Sequence, residues 1–289
     1  MISKAVIPAA GFGTRFLPAT KSQPKEMLTV VDTPTIQYVV EEAVASGITD
    51  ILMVIGKSKR AIEEHFDRNF ELENELLAKG KRKELEAMRR ISSMANIHFI
   101  WQKELLGLGD AVRHARDHVG AEPFAVLLGD TIIESNRPVT LQLMEAYERC
   151  GEPMVALEEV ERSKVSRYGV IKGEKVQDGH YRISDFVEKP SVKKAPSNLA
   201  IAGRYVFTAD LFDYIDRTPP GKNGEIQLTD AMRLMAADRP MRGLRFNGRR
   251  YDIGNKLDFI KTNVLFGLKR AELSAELREF IREVAGKKC

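Results

Sequence analysis

Cysteine is nearly absent from this 289-residue sequence, with Cys150 inside the chain and Cys289 at its end. Two cysteines so placed form neither a disulfide framework nor a metal-ligand cluster. No apolar run approaches the ~20 residues that span a bilayer. The first residues also reach Arg15 without the apolar core of a signal peptide. These absences predict a cytoplasmic protein that has no membrane segment.

A large excess of either charge is missing as well. The chain has 45 Lys and Arg against 41 Asp and Glu, a formal net charge of +4, and no run of five basic residues. Nucleic-acid binding is therefore not expected, although a small anionic ligand would suit the balance. The hydrophobic content of 43% excludes a disordered chain.

Several catalytic motifs do not occur. The sequence lacks the Gly-x-x-x-x-Gly-Lys-Ser/Thr triphosphate loop and the Gly-x-Ser-x-Gly nucleophile elbow. His114 and His118 have helical spacing but lack the Glu of a His-Glu-x-x-His zinc site, so they are interpreted as surface or satisfied histidines. The sequence therefore shows no nucleophile for covalent catalysis.

Along the chain, sequence patterns typical of strands alternate with patterns typical of helices. Short apolar runs at residues 4–8, 51–55, 98–101 and 124–128 predict strands, and Thr33 is predicted to cap a helix that ends at Gly47. Strands separated by helices indicate βαβ units, hence a mostly parallel mixed sheet flanked by helices. Further strands are predicted at 155–160, 170–172, 181–187 and 199–207. Asn247-Gly248 predicts a tight hairpin within residues 245–249.

Two other regions have helical patterns. Residues 57–95 form a charged excursion in which Gly80 divides two amphipathic helices, interpreted as a solvated surface or, alternatively, as a lid or subunit contact. Apolar stripes also recur near the end of the chain, on residues 257–268 and 273–284. Stripes of this kind are typical of a core or an oligomer contact.

A glycine loop directly follows the first predicted strand and reads Ala9-Ala10-Gly11-Phe12-Gly13-Thr14-Arg15. Backbone amides in such loops bind anions. Three cations follow closely, Arg15, Lys21 and Lys25, and together they suit a triphosphate or its leaving pyrophosphate.

A dinucleotide-binding loop is the competing interpretation, and Asp32 has the spacing of its acidic residue. Phe16, however, occupies the place of the third glycine, and Pro18 and Pro24 interrupt the helix that should follow. A dehydrogenase is therefore disfavoured.

Two carboxylates are candidate metal ligands. Asp130 follows the strand at 124–128, at the end where ligands bind in open α/β sheets. Asp252 ends another predicted strand. Mg²⁺ favours few protein oxygens plus ligand phosphates, so these two side chains could share one ion.

The glycine loop and several later segments together resemble the sugar-1-phosphate nucleotidylyltransferase family. The matching segments, which run from residue 5 to about residue 260, are Ala9–Pro18, Pro24-Lys25-Glu26-Met27, Trp101–Ala111, Leu128-Gly129-Asp130, Phe186–Pro190, Gly224–Asp230 and Tyr251–Asn255. The length of the 57–95 excursion is similar to that of the uridylyl-transferring branch. The resemblance implies a Rossmann-like nucleotide-diphospho-sugar transferase fold with a small β-hairpin part and C-terminal helices. It also implies Mg²⁺-dependent transfer of uridylyl from UTP to glucose 1-phosphate.

The resemblance assigns a role to each matching position. The residues expected to bind the nucleotide are Ala9, Ala10, Gly11, Gly13, Glu26, Gln102 and Gly107. Arg15, Lys25 and Lys189 are expected to be catalytic, because they would neutralise phosphates. Gly169, Glu188 and Gly203 are expected to bind the sugar, and Asp130 and Asp252 to hold Mg²⁺. Adjacent strand residues point to opposite faces, so a shared role for Glu188 and Lys189 requires the strand to end or bend there.

One departure from the family pattern concerns Thr131, which follows Asp130 where many relatives carry a second Asp. The resemblance further implies a catalytic domain over residues 1–260, a C-terminal helical segment over 261–289, and a homodimer or homotetramer. Thymidylyl or another nucleotidylyl transfer, and a catalytically silent sugar-nucleotide sensor, are the alternatives.

Overall fold

A computed structural model describes residues 2–221 and 224–286 of the chain. Its strands are β1 (Lys4–Ala9), β2 (Thr29–Val30), β3 (Thr33–Pro34), β4 (Asp50–Ile55), β5 (Asn96–Trp101), β6 (Phe124–Leu127), β7 (Thr131–Glu134), β8 (Met154–Glu159), β9 (Gly169–Gln177), β10 (His180–Glu188), β11 (Leu199–Phe207), β12 (Met241–Arg245) and β13 (Arg249–Asp252). Its helices are α1 (Thr35–Ala45), α2 (Arg60–Phe66), α3 (Phe70–Ala78), α4 (Arg82–Ser92), α5 (Leu108–Arg113), α6 (Arg116–Val119), α7 (Val139–Cys150), α8 (Leu211–Arg217), α9 (Leu228–Asp238), α10 (Lys256–Gly267) and α11 (Ala271–Gly286).

Nine of the strands form one mixed sheet in the order β5-β4-β1-β6-β11-β8-β12-β10-β9. The first four are parallel, and antiparallel pairs dominate the rest. Alternate residues of β1 enter different cores, with Val6 on one face and Ala5 and Ile7 on the other. The predicted α/β fold with helices on both faces is confirmed. Within the described residues, no helix is both long and apolar enough to span a bilayer.

The predicted hairpin at Asn247-Gly248 is wrong. The strands on its two sides belong to different sheets, because β12 pairs with β8 and β10 whereas β13 pairs with β7. The actual hairpin joins β9 to β10 through Asp178-Gly179, with Gly179 at a φ of +73°. Both dipeptides have the same turn preference, so pairing partners elsewhere in the chain decide which one closes a hairpin.

The predicted start of the first helix is also wrong. Thr33 pairs with Val30 in the short β2–β3 ribbon, so the helix begins at Thr35. The Thr35 hydroxyl and N–H both donate to the Leu28 carbonyl, at 2.8 and 3.1 Å. The predicted end is correct, since α1 stops at Ala45 and Gly47 has a φ of +87°.

The 57–95 excursion contains three helices, α2, α3 and α4, and Gly80 forms the turn between the last two. Their centre is the buried carboxylate of Glu73, which accepts two hydrogen bonds from Arg68 and one, at 2.9 Å, from Arg89. These bonds lower the pKa of Glu73 from 4.5 to about 2.

The depressed pKa of Glu73 makes its contribution to stability pH-dependent. Stability from a lowered carboxyl pKa is present above the unfolded value of 4.5 and is lost as pH falls toward about 2. Glu73→Gln should therefore melt below the wild type at neutral pH, and the gap should close across that window. Glu75→Gln, which alters an exposed ion pair with Lys79, is the matched control. Melting curves whose separation is independent of pH would contradict the prediction.

The C-terminal helices cover a small separate core. Val30, Ile132, Tyr251 and Ile253 form it beneath α10, which runs without a break through residue 260. Along α11 no residue is buried, and Leu273, Phe280 and Val284 are exposed. The expected oligomer contact on this segment stays a prediction, and Cys289 lies outside the described residues.

Candidate functional site

The carboxyl ends of β1, β5 and β6 meet at one edge of the sheet, where they open into a pocket of about 450 Å³. Eight residues with predicted site roles line it, namely Ala9, Ala10, Gly11, Lys25, Glu26, Gln102, Gly107 and Asp130. Phe12, 69% exposed, stands at its mouth. The structure thus brings most of the predicted nucleotide residues together.

The glycine loop turns through Gly13, whose φ of +66° is left-handed and favours glycine. The chain then forms a short 3-10 turn at Thr14–Phe16, and the Phe16 ring packs edge-on against Phe259 at 5.7 Å. This contact explains why a bulky side chain occupies the position of a third glycine. Arg15 leaves the same turn and donates to the Gly254 carbonyl at 3.3 Å. Lys21, the third predicted cation, is exposed.

Lys25 and Asp130 form an ion pair in the pocket, with 2.5 Å between Nζ and Oδ2. Burial lowers the pKa of Lys25, but the carboxylates of Asp130 and Glu26 outweigh it and the net shift is upward. Burial raises the pKa of Asp130, but Lys25 and Arg15 outweigh it and the net shift is downward. Both groups are therefore held in their charged forms.

Glu26 forms a second ion pair with Lys59, at 2.7 Å, and both side chains are almost completely buried. Burial raises the pKa of Glu26 and lowers that of Lys59, although each partner opposes the shift of the other. Lys59 stands at the start of α2, so the excursion is tied to the pocket wall. The Glu26 carboxylate, which lines the pocket, is thus already paired with a lysine.

The two predicted metal ligands come close because β7 and β13 pair. Thr131 lies opposite Asp252 in this ladder, and the Ile253 N–H donates to the Asp130 carbonyl at 3.2 Å. The Asp252 carboxylate accepts from the Tyr168 hydroxyl at 3.1 Å and from the Gly254 N–H at 2.8 Å. Within the described residues, no group of three or more His, Cys, Asp or Glu side chains could enclose a metal ion.

Glu188 and Lys189 are adjacent, yet their side chains meet, with 2.8 Å between Lys189 Nζ and Glu188 Oε1. β10 ends at Glu188, and Lys189 adopts a φ of +42°. This left-handed conformation, unusual for lysine, cancels the strand alternation. The required bend before Pro190 is present.

The other predicted sugar residues lie beside this pair. A Cβ at Gly169 would be 3.3 Å from Glu188 Oε2, which itself accepts from the Thr229 hydroxyl at 2.7 Å. Gly203 lies at an irregularity of β11 and accepts from the N–H of Leu128, a residue of the pocket wall. Leu128 thus connects the sugar set to the nucleotide pocket.

The cations of the site have carboxylates beside them. Three lysines each pair with a carboxylate: Lys25 with Asp130, Lys59 with Glu26 and Lys189 with Glu188. The remaining cation and carboxylate, Arg15 and Asp252, lie around Gly254. Each of these four cations therefore lies near a carboxylate.

The sequence interpretation missed several residues of the site. Lys59 lies among many surface charges of the excursion, and no local pattern distinguishes it. Thr229 lies inside the segment Gly224–Asp230, which matches the family, and this position was the one indication in the sequence that Thr229 belongs to the site. Arg204, fully buried, donates to the carbonyls on both sides of Asp130, those of Leu128 and Thr131, and nothing near it in sequence indicates that role.

Comparisons with known proteins identify the family of the chain. A family model described as Nucleotidyl transferase matches residues 4–266. UTP–glucose-1-phosphate uridylyltransferases of Staphylococcus epidermidis and Staphylococcus haemolyticus are 50% and 51% identical to the chain over 283 residues, which is 98% of this chain and 98% of each relative.

Solved structures are similar as well. UDP-glucose pyrophosphorylase complexed with UDP-glucose has a TM-score of 0.86 and 43% identity, covering 93% of this chain and 100% of that one. The UTP-bound UGPase from Acinetobacter baumannii has a TM-score of 0.91 and 39% identity, covering 98% and 99%. With its glycine loop, the family model over residues 4–266 and these relatives, the chain belongs to the nucleotidyl transferase family.

Proposed function

We propose that the protein transfers uridylyl from UTP to α-D-glucose 1-phosphate and releases UDP-glucose and pyrophosphate. The observation that carries the proposal is the junction of two groups at one sheet edge. A pocket ending in Lys25 and Asp130 is connected through β11 to the Glu188–Lys189 pair. Gly203 of β11 accepts from Leu128 of the pocket wall, and Ile201 of β11 lies against Gly169 beside Glu188. Relatives about 50% identical carry the name of this activity.

In this proposal the pocket binds the nucleotide. The backbone of Ala9, Ala10 and Gly11 lies against the base and ribose, and Gln102 and Gly107 meet the base edge. A Cβ at Gly107 would lie 2.7 Å from the Ile226 carbonyl, and the φ of Gly107 is +101°. Only glycine therefore allows the backbone to pass this close to Ile226. Gly13, Arg15 and Lys25 lie along the triphosphate.

The second group binds the sugar phosphate. Glu188, positioned by Thr229, accepts hydrogen bonds from glucose hydroxyls, and Gly169 and Gly203 leave room for the ring. Lys189 exchanges its contact with Glu188 for the phosphate, because a dianion attracts the ammonium more strongly than one carboxylate.

Asp130 and Asp252 are the residues that would hold Mg²⁺. Two carboxylates, with no third His, Cys, Asp or Glu ligand among the residues that the structure describes, suit an ion that takes its other oxygens from phosphates and water. The pairing of three lysines of the site with carboxylates also favours a divalent cation, because paired lysines attract a triphosphate less strongly. When bound, Mg²⁺ would neutralise phosphate oxygens.

The reaction needs no general base, because the sugar phosphate is already an anion. Its oxygen forms a bond to the α-phosphorus, the bond to the β-phosphate oxygen breaks, and pyrophosphate leaves with the electron pair. Repulsion between the two anions is the main barrier. Arg15 and Lys25 reduce it on the side of the leaving group, and Lys189 on the side of the nucleophile.

Direct displacement predicts that no uridylyl-enzyme forms. Intact-mass spectrometry after incubation with UTP and Mg²⁺ alone should show the unmodified chain, and initial rates should give intersecting double-reciprocal lines. A trapped adduct or parallel lines would exclude this mechanism.

The function itself is tested by pyrophosphate release. Four nucleoside triphosphates should be combined with several sugar 1-phosphates, with and without Mg²⁺. UTP with glucose 1-phosphate and Mg²⁺ should give the highest kcat/KM. A higher value for dTTP would assign thymidylyl transfer instead, and saturable UDP-glucose binding without turnover would indicate a sensor.

A further inference from the structure

The hydrogen-bonding direction of Gln102 is fixed by the protein. This side chain is 4% exposed and lines the nucleotide pocket. Its amide nitrogen donates to Asp110 Oδ2 at 2.7 Å and to the Gly107 carbonyl at 3.2 Å. An amide has two N–H donors, so both are used. The carbonyl oxygen accepts no hydrogen bond from residues 2–221 or 224–286. No fully buried side-chain oxygen or nitrogen of these residues lacks a partner, so this oxygen must be accessible from outside the protein. It therefore presents an acceptor to the pocket.

Asp110 determines this orientation, and it is itself held in place. Its side chain is 1% exposed, and its second oxygen, Oδ1, accepts from the Arg113 guanidinium at 2.5 Å. A carboxylate offers only acceptors, so the nitrogen of Gln102, not its oxygen, must face it. Arg113 is one turn along α5 and keeps the carboxylate oriented.

We propose that Asp110 is a positioning residue that sets which bases the pocket accepts, by turning the Gln102 carbonyl oxygen toward the ligand. A base that presents a ring N–H to this oxygen is favoured, as uracil does with N3–H. The unprotonated N3 of cytosine offers a lone pair there and is disfavoured. The proposal rests on the proposed function only in taking this pocket as the base site.

The test replaces one carboxylate oxygen of Asp110 with an NH₂ group. In Asp110→Asn the new side-chain oxygen stays with Arg113, because a guanidinium can only donate, so the new NH₂ faces Gln102. Two amide nitrogens cannot face each other, so Gln102 turns over and gives up its longer hydrogen bond, the one at 3.2 Å to the Gly107 carbonyl. Its NH₂ then points into the pocket, where it suits the cytosine N3.

The measurement compares UTP with CTP in two ways. One is the ratio of kcat/KM values for pyrophosphate release, and the other is the ratio of association constants from calorimetry without sugar phosphate. Asp110→Asn should lower both UTP:CTP ratios about tenfold, the effect of one mismatched hydrogen bond. Asp117→Asn, the same change on an exposed carboxylate of α6, should leave both unchanged.

A double variant separates orientation from a general structural effect. In Asp110→Asn/Arg113→Met the asparagine no longer has a donor behind it and can present its oxygen to Gln102. Selectivity for UTP should recover at least in part, although the charge of Asp110 is still absent. Recovery of the UTP:CTP ratio in the double variant would support the proposal even if Asp110→Asn alone folds poorly.

Two results would overturn it. One is a folded Asp110→Asn whose UTP:CTP ratios equal those of the wild type. The other is an equal loss of kcat/KM and of affinity for UTP and CTP in Asp110→Asn that the additional substitution Arg113→Met does not change. Absence of turnover in the wild type would refute the proposed function alone, because the binding ratios still decide the role of Asp110.

Discussion

Asp130→Asn should lower kcat/KM for pyrophosphate release about a thousandfold or more. The substitution keeps the shape of the side chain and removes its charge. One of the two carboxylates that would hold Mg²⁺ is then neutral, and Lys25 loses the carboxylate that keeps it in place 2.5 Å away. Two groups that act on the same phosphates are affected together, so the loss should exceed that of Lys25→Met alone.

The control for this prediction lies on β7, the strand that directly follows Asp130. Glu134→Gln removes a carboxylate at the far end of β7, where Glu134 pairs with Lys269 outside the pocket. We expect near-wild-type turnover from it. Both variants should be assayed across a Mg²⁺ titration, with melting temperatures recorded. Wild-type rates for Asp130→Asn at every Mg²⁺ concentration would remove Asp130 from the site.

The parallel half of the fold was predictable because its signals are local. Each of its strands is a short apolar run, and their carboxyl ends necessarily lie at one edge. Asp130 and the glycine loop could therefore be placed in one site before any coordinates. The antiparallel half was less predictable, since Asn247-Gly248 and Asp178-Gly179 have equal turn preferences and only strand pairing distinguishes them.

Backbone conformation limited the prediction for the sugar site. Strand alternation separates Glu188 from Lys189, and only the φ of +42° at Lys189 brings their side chains together. Nothing in the sequence determines that angle. Buried pairs such as Glu26–Lys59 are equally hidden, because their members look like ordinary surface charges until the chain folds.

The electrostatic environment of the phosphate site is where the structure differs most from what the sequence indicates. The cations near the glycine loop suggest a positive phosphate site, yet three lysines of the site are paired with carboxylates. If a triphosphate binds as proposed, it meets lysines that already have partners, and its charge would have to be met by rearranged pairs and an added cation. We expect phosphate affinity to depend steeply on Mg²⁺ for this reason.

Arg204→Ala should destabilise the fold by about 3–5 kcal/mol, the cost of leaving a buried charge without its partner. The Arg204 guanidinium contacts Glu42 Oε2 at 2.8 and 3.0 Å and is fully buried. Urea unfolding at constant m-value measures the difference. Arg60→Ala, which breaks an exposed pair with Glu64, should cost less than about 1 kcal/mol. Equal costs for the two substitutions would contradict the prediction.

A second substitution identifies the origin of that cost. Glu42→Gln keeps an oxygen for the N–H and hydroxyl of Thr140 but removes the charge. If the stranded carboxylate dominates, Arg204→Ala/Glu42→Gln should be more stable than Arg204→Ala. Activity should not recover, however, because the carbonyls of Leu128 and Thr131 still lack the donor that fixes the chain on both sides of Asp130. Stability and turnover would then separate, and Arg204 would have two roles: it neutralises Glu42 and it positions Asp130.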